Sequence, residues 1–137
     1  MPSLTPRPGA DSLDIYVANH KEANRLLLND GLGGFVSASR PTVGDAVATD
    51  KWSRAAVAGD FDRDSDVDIM VINERMANQL LINNGAGVFA FDGDALPGQS
   101  DWSYGAAAGD FDGDGFLGAR NLHVPHPLSS TDANAAC

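Results

Sequence analysis

Cysteine occurs once in this 137-residue chain, at Cys137, which excludes an intrachain disulfide and a cysteine zinc site. Glutamate is almost missing: the 19 acidic residues are 17 Asp and 2 Glu. Positive charge is scarce too, with 9 Lys and Arg leaving a formal net charge of -10. A balance so negative argues against nucleic acid and anionic membranes as partners. No run approaches the roughly 18 apolar residues of a transmembrane helix. The opening stretch MPSLTPRPGADS holds no apolar segment of about seven residues, so no signal peptide is expected in this chain. The histidines, His20, His123 and His126, stand in no zinc or triad spacing, and solvated surface roles are expected of them. The pair flanking Val124 and Pro125 has the separation of a metal clip, but proline breaks the helical geometry that would aim both rings.

What the chain has is aspartate in a pattern. A hydrophobic fraction of 43% permits a globular core. Within it, AGDFDRDSDVDIMVIN, residues 58 to 73, places Asp60, Asp62, Asp64, Asp66 and Asp68 on alternate positions and then turns apolar. Two like charges about 4 Å apart repel by roughly 1 kcal/mol in water, and by more where solvent is thin. These carboxylates must therefore be solvated or jointly neutralised. A solvated acidic linker is the plain reading, but a linker does not run into Ile69, Met70, Val71 and Ile72. The sharper reading is a hard-cation loop, in which carboxylates at positions 1, 3 and 5 converge on Ca²⁺ and a later acid closes the shell. A structural turn without metal is the third reading.

The chain repeats itself. DIYVANHKEANRLLLNDGLGGF (14 to 35) aligns without gaps on DIMVINERMANQLLINNGAGVF (68 to 89), with 12 of 22 positions identical at a shift of 54. WSRAAVAGDFDRD (52 to 64) aligns on WSYGAAAGDFDGD (102 to 114), with 9 of 13 identical at a shift of 50. Each unit reads as four short strands. In the complete unit these are Ala55 to Ala58 before the aspartate loop, Asp68 to Asn73 after it, and Asn78 to Ile82 and Val88 to Phe91 around an Asn- and Gly-rich hairpin turn. Four-stranded units at about 40 to 50 residues are the sequence signature of propeller blades.

The units resemble FG-GAP (VCBS-type) repeats, the blades of integrin alpha-chain propellers and of many secreted proteins. The resemblance is carried by Gly59-Asp60-Phe61-Asp62-Arg63-Asp64-Ser65-Asp66-Val67-Asp68, by Gly109-Asp110-Phe111-Asp112-Gly113-Asp114-Gly115, and by the hairpins LLLNDGLGGF and LLINNGAGVF. It covers about residues 14 to 117 and implies a Ca²⁺ site between the first and second strands of each blade. It also implies an all-β, propeller-type fold of four-stranded blades, about two blades' worth, either a fragment of a longer propeller or part of an oligomeric one.

Other Ca²⁺ motifs fail on chemistry. An EF-hand-like loop needs an acid at position 12, which counted from Asp60 is Val71, and a helix after it. Mg²⁺ prefers fewer carboxylates and more water. In the first loop Asp60, Asp62 and Asp64 are each expected to give one oxygen. Asp66 is expected to give its backbone carbonyl while its carboxylate faces water, and Asp68 to close the shell. Ser65 stands where a sharp turn prefers glycine, so a positive φ there carries strain of about 1 kcal/mol. The second loop offers Asp110, Asp112 and Asp114, with Phe116 at the position of Asp66, but its ninth position is Gly118, so one carboxylate is missing and weaker binding is expected. In the first unit Pro6, Pro8 and Ala10 replace the ligands and only Asp14 remains, so no third site is expected.

The organisation expected is a lead (1 to 13), a partial blade with strands two to four (14 to 51), a complete blade (52 to 101), a partial blade with first strand and loop (102 to 118), and a disordered tail (119 to 137). Trp52 and Trp102 recur at one repeat position, as blade packing or as carbohydrate platforms. Asp92, Asp94 and Asp101 read as turn residues rather than a glycosidic carboxylate pair. The function expected is a non-enzymatic adhesion or recognition module with structural Ca²⁺ and a protein or glycan ligand. The alternative is a carbohydrate-active enzyme or binding segment. A secreted or cell-surface parent fits loops needing Ca²⁺, and a homotrimer or homotetramer would close a ring of six or eight blades.

Overall fold

The computed structural model describes residues 13–38, 52–92 and 102–124. Every regular element among them is a strand: β1 Ile15–Val17, β2 Arg25–Asn29, β3 Phe35–Ser37, β4 Ser53–Gly59, β5 Asp68–Asn73, β6 Gln79–Asn83, β7 Phe89–Asp92, β8 Trp102–Gly109 and β9 Gly118–Val124. They form three antiparallel meanders, β1-β2-β3, β4-β5-β6-β7 and β8-β9. Equivalent strands sit one repeat apart: β5 corresponds to β1 and β9, and β4 to β8.

Side chains alternate across a strand, so β5 presents two apolar faces. Ile69 and Val71, with Leu81 and Phe89, pack on Leu26 and Leu28 of the first sheet. Met70 and Ile72, with Leu80, pack the other way, where Ala106 of β8 and Ala119 of β9 lie against them. The uninterrupted apolar run of β5 is thus explained: both faces are covered, and Val71, Ile72 and Leu81 are 0% exposed. Each such side chain contributes about 1.5–3 kcal/mol by leaving water. The sheets stack face to face, and the central one is sandwiched.

One expectation is corrected here. Residues 119 to 124, assigned to the disordered tail, continue β9 and pair with β8, from Gly109↔Gly118 to Trp102↔Val124. The segment lacks an alternating apolar pattern, so its strand conformation comes from the β8 ladder and from packing of the small Ala119, not from propensity. Residues 125 to 137 lie outside the described residues, as do Asp94, Asp101 and His126.

The stack has two chemically distinct ends. β4 and β8 run toward the acidic loops. At the opposite end a polar ladder ties the sheets together: Asn24 Nδ2 donates to Ser53 Oγ (2.9 Å), which donates to Asn73 Oδ1 (2.9 Å), while Asn78 Nδ2 reaches Ser103 Oγ at 3.5 Å. Asn19 and Asn73 each bond the asparagine five residues on, through the backbone N–H, at 2.8 and 2.9 Å. Buried polar groups so satisfied add specificity to the stacking without leaving a desolvated donor.

Candidate metal centre

The first acidic loop leaves β4 at Gly59 and enters β5 at Asp68, and Gly59↔Asp68 is the last pair of that ladder. Between them the chain turns by bonding its own carboxylates. Asp60 accepts from Arg63 N (2.7 Å) and Ser65 N (3.1 Å), Asp62 from Asp64 N (3.2 Å), and Asp64 from Asp66 N (2.9 Å). Such aspartate-to-backbone bonds are turn chemistry. They require left-handed backbone at Arg63 (φ 74°) and Ser65 (φ 76°), where the second loop has Gly113 (φ 77°) and Gly115 (φ 85°). The expected strain at Ser65 is present, and Arg63 carries the same cost without having been anticipated.

Asp68 is the anchor. It is 0% exposed, its Oδ2 accepts from Phe61 N at 2.8 Å, and its Oδ1 accepts from Asn83 N at 2.9 Å. One carboxylate thereby joins the loop, β5 and β6. Asp14, its repeat equivalent, bonds Asn29 N in the same way at 2.9 Å but is exposed and has no acidic loop before it.

Oxygens of Asp60, Asp62 and Asp68 lie within 4.8 Å of one another. Two oxygens held about 2.4 Å from one Ca²⁺ are at most about 4.8 Å apart, so these three acids are close enough together to share one hard cation. Asp64 and Asp66 are not in the group. Asp64 is engaged with the Asp66 N–H, and the Asp66 carboxylate, expected in water, lies against the β6–β7 turn, where a Cβ on Gly85 would come 2.5 Å from its Oδ2. The second loop groups Asp110, Asp112 and Asp114, all exposed, within the same 4.8 Å. Phe116 donates its N–H to Asp114 Oδ1 at 2.9 Å. Its ring lies 3.5 Å from the Arg63 guanidinium, so neighbouring loops touch.

Electrostatics differ between the loops. Asp62 is pushed above the ordinary carboxylate range, first by partial loss of solvent and then by the negative charges of Asp68 and Asp64, against one opposing N–H from Asp64. Asp110 is held below that range, chiefly by the Gly115 N–H and then those of Gly113 and Asp114, which outweigh its desolvation.

A family model for FG-GAP-like repeats matches residues 11–71 and again residues 60–117. The chain belongs to the FG-GAP-like repeat family. The two matches overlap at the first acidic loop and the start of β5, so that loop lies in both. No curated protein matches the chain. In this FG-GAP-like chain the loops are one repeat apart and lie on one end of the stack, because β4 and β8 are equivalent strands of successive sheets. The buried ends of the polar ladder escaped the sequence reading, although Asn19, Asn24 and Ser53 recurring as Asn73, Asn78 and Ser103 were a signal. Polar identity at strand ends, beside apolar alternation, marks positions that bond across sheets.

Proposed function

We propose that the chain is a calcium-binding β-propeller repeat module acting in adhesion or protein recognition, with structural Ca²⁺ in the first acidic loop. The carrying observation is the convergence of Asp60 and Asp62 on the wholly buried Asp68. Asp60, Asp62 and Asp68 would hold the ion, which would supply the positive charge that three neighbouring carboxylates lack. The second loop would bind more weakly, since its three acids are exposed and Gly118 stands where the first has Asp68. Ca²⁺ that binds only the folded state raises stability by about 2.7 kcal/mol at one hundred times its dissociation constant. Thermal melts of metal-stripped protein with Ca²⁺ and with chelator test this. A higher midpoint in Ca²⁺ is expected, and identical midpoints overturn the metal reading.

The central sheet, covered on both faces by neighbouring sheets, supports the propeller reading, and propellers close with roughly four to eight blades. In a ring of three or four copies β1 of one chain would take a first strand from the next. β8 already uses its paired edge for β9, so such an exchange would release β9. Light scattering after size-exclusion chromatography in Ca²⁺ distinguishes a trimer or tetramer, which supports closure, from a folded monomer, which refutes it.

A further inference from the structure

The first and central sheets do not close evenly on one another. Toward the acidic end a cavity of about 540 Å³ opens between them, walled by Leu26 and Leu28 on one side and by Ala56, Ile69 and Phe89 on the other. Leu26, Leu28, Ile69 and Phe89 are buried members of one core cluster, so the cavity reaches the apolar interior. At the next junction Phe61 packs onto Met70, Ile72 and Leu80, and Leu117 lies so close to Gly59 that a Cβ on that glycine would overlap it. At the first junction the shorter Val67 takes the place of Leu117, 50 residues earlier, and lines the cavity. Ala58, exposed at the end of β4, leaves the entrance open, and among the described residues the first sheet has no counterpart of β4 to lie over it.

The entrance carries charge of one sign. Asp14 and Asp66 line it, and none of the described residues lining the cavity is basic. Asp14 Oδ1 accepts from Asn29 N, a neutral donor that leaves the negative charge in place. Asp66 is half-buried and gives its N–H to Asp64 Oδ1, but its carboxylate and the Ser65 hydroxyl have no hydrogen-bond partner among the described residues. Ser65 and Asp66 are also where the first loop departs from the second, which has Gly115 and Phe116 at those positions. The departure strains the chain, since Ser65 holds left-handed backbone (φ 76°) at a cost of about 1 kcal/mol that glycine would avoid. Both residues line the cavity. A half-buried carboxylate above an apolar wall is screened less than one in open water, so an opposite charge brought to it gains more.

We propose that this cavity binds a small organic monocation, a primary ammonium on an aromatic or aliphatic stem, with the stem against Leu28, Ile69 and Phe89 and the ammonium at Ser65 and Asp66. Its volume lies within the roughly 300–1,000 Å³ of small-ligand sites, which are mostly apolar with a few polar groups that fix orientation. The apolar walls select against a bare metal ion, which would lose its water there without gaining oxygen ligands, and the carboxylates at the entrance select against anions. A peptide strand added beside β1 fits less well. The first strands of the other two sheets reach this end as Val57-Ala58-Gly59 and Ala107-Ala108-Gly109, small and neutral, and such a strand would leave the Asp66 carboxylate uncompensated. The proposal adds a small-molecule ligand to the recognition role above and depends on neither the loop cation nor ring closure.

The test uses the full chain and ligand-observed NMR titration with phenethylammonium, the neutral phenethyl alcohol and the anionic phenylpropionate, each in Ca²⁺ and in chelator. Ala58→Leu fills the entrance from an exposed position, and Asp66→Asn removes the charge while keeping the volume. Ammonium binding at least tenfold tighter than that of the alcohol or the carboxylate, and at least tenfold weaker in each variant with its melting midpoint not lowered, supports the proposal. If Ala58→Leu lowers the midpoint, Asp66→Asn decides alone. No binding of the ammonium, equal binding of the three probes, or unchanged affinity in a folded variant overturns it. Unchanged affinity in Ala58→Leu would place the ammonium on the acidic loops, which that variant leaves intact. A lost Ca²⁺ stabilisation with ammonium binding intact sinks only the metal reading, and the reverse result sinks only this one.

Discussion

Replacing Asp68 separates what a buried carboxylate does for the fold from what it does for a cation. Its two oxygens accept from Phe61 N and Asn83 N at 2.8 and 2.9 Å in a site with no exposed surface. Hydrogen bonds to a charged group contribute about 1.5–3 kcal/mol each, and a donor left buried and unpaired costs about 1–3 kcal/mol. Asp68→Ala should therefore destabilise the chelated protein by about 3–5 kcal/mol, lowering the midpoint by more than about 10 °C for a domain of this size. Asp14→Ala is the internal control, because it removes the equivalent bond to Asn29 N from an exposed position. It should cost about 1 kcal/mol. Asp68→Asn keeps the volume and one acceptor, so it should fold in chelator while losing the Ca²⁺-dependent rise in midpoint. Differential scanning calorimetry of the three variants, with Ca²⁺ and with chelator, measures both terms. Equal losses in Asp68→Ala and Asp14→Ala would refute the burial argument, and a Ca²⁺ rise surviving in Asp68→Asn would refute the ligand assignment.

Gly118→Asp should supply the second loop with the acid it lacks: a Cβ there meets only Gly109 O at 3.6 Å and Phe111 Cδ2 at 3.7 Å, which is ordinary contact. Calorimetric titration should show tighter Ca²⁺ binding at that loop by about tenfold or more, as ligand charge increases, and unchanged affinity would contradict the role assigned to the ninth position. Ser65→Gly should raise stability by about 0.5–1 kcal/mol by removing left-handed strain. Arg63→Gly should gain less, because it also loses the stack on Phe116 at 3.5 Å, and a larger gain from Arg63→Gly would refute that contact's value. Tyr16 is pushed up to about 12, first by burial of its hydroxyl and against an opposing bond from Asn24. Its folded value lies above the unfolded one of about 10, so the stability it contributes is present below pH 10 and lost as pH rises toward 12, by about 2–3 kcal/mol. Tyr16→Phe should flatten urea-measured stability against pH in that window, and an unchanged slope would exclude Tyr16 as the source.

The repeat, its strands, its hairpins and its loops were legible in the sequence because each rests on neighbours along the chain. The continuous apolar run within Asp68 to Asn73 specifies a strand with two apolar faces, the Asn and Gly of residues 83 to 87 specify a hairpin turn, and the position of Ser65 in the loop specifies left-handed backbone. Chain-local rules could not choose among five alternating aspartates. Asp68 meets Asp60 and Asp62 because the loop and β6 close over it, through Phe61 N and Asn83 N, whereas the Asp66 carboxylate turns to Gly85. β9 was misread for a related cause, since its conformation is imposed by pairing with β8 rather than by its own residues. The cavity beside Asp66 is walled by residues of the first and central sheets, and the ladder from Asn24 to Ser103 crosses three sheets. Only the face-to-face stacking of successive sheets decides such meetings. Apolar faces that no single repeat can bury alone draw equivalent strands together, and the polar and charged ends of those strands are carried into contact with them.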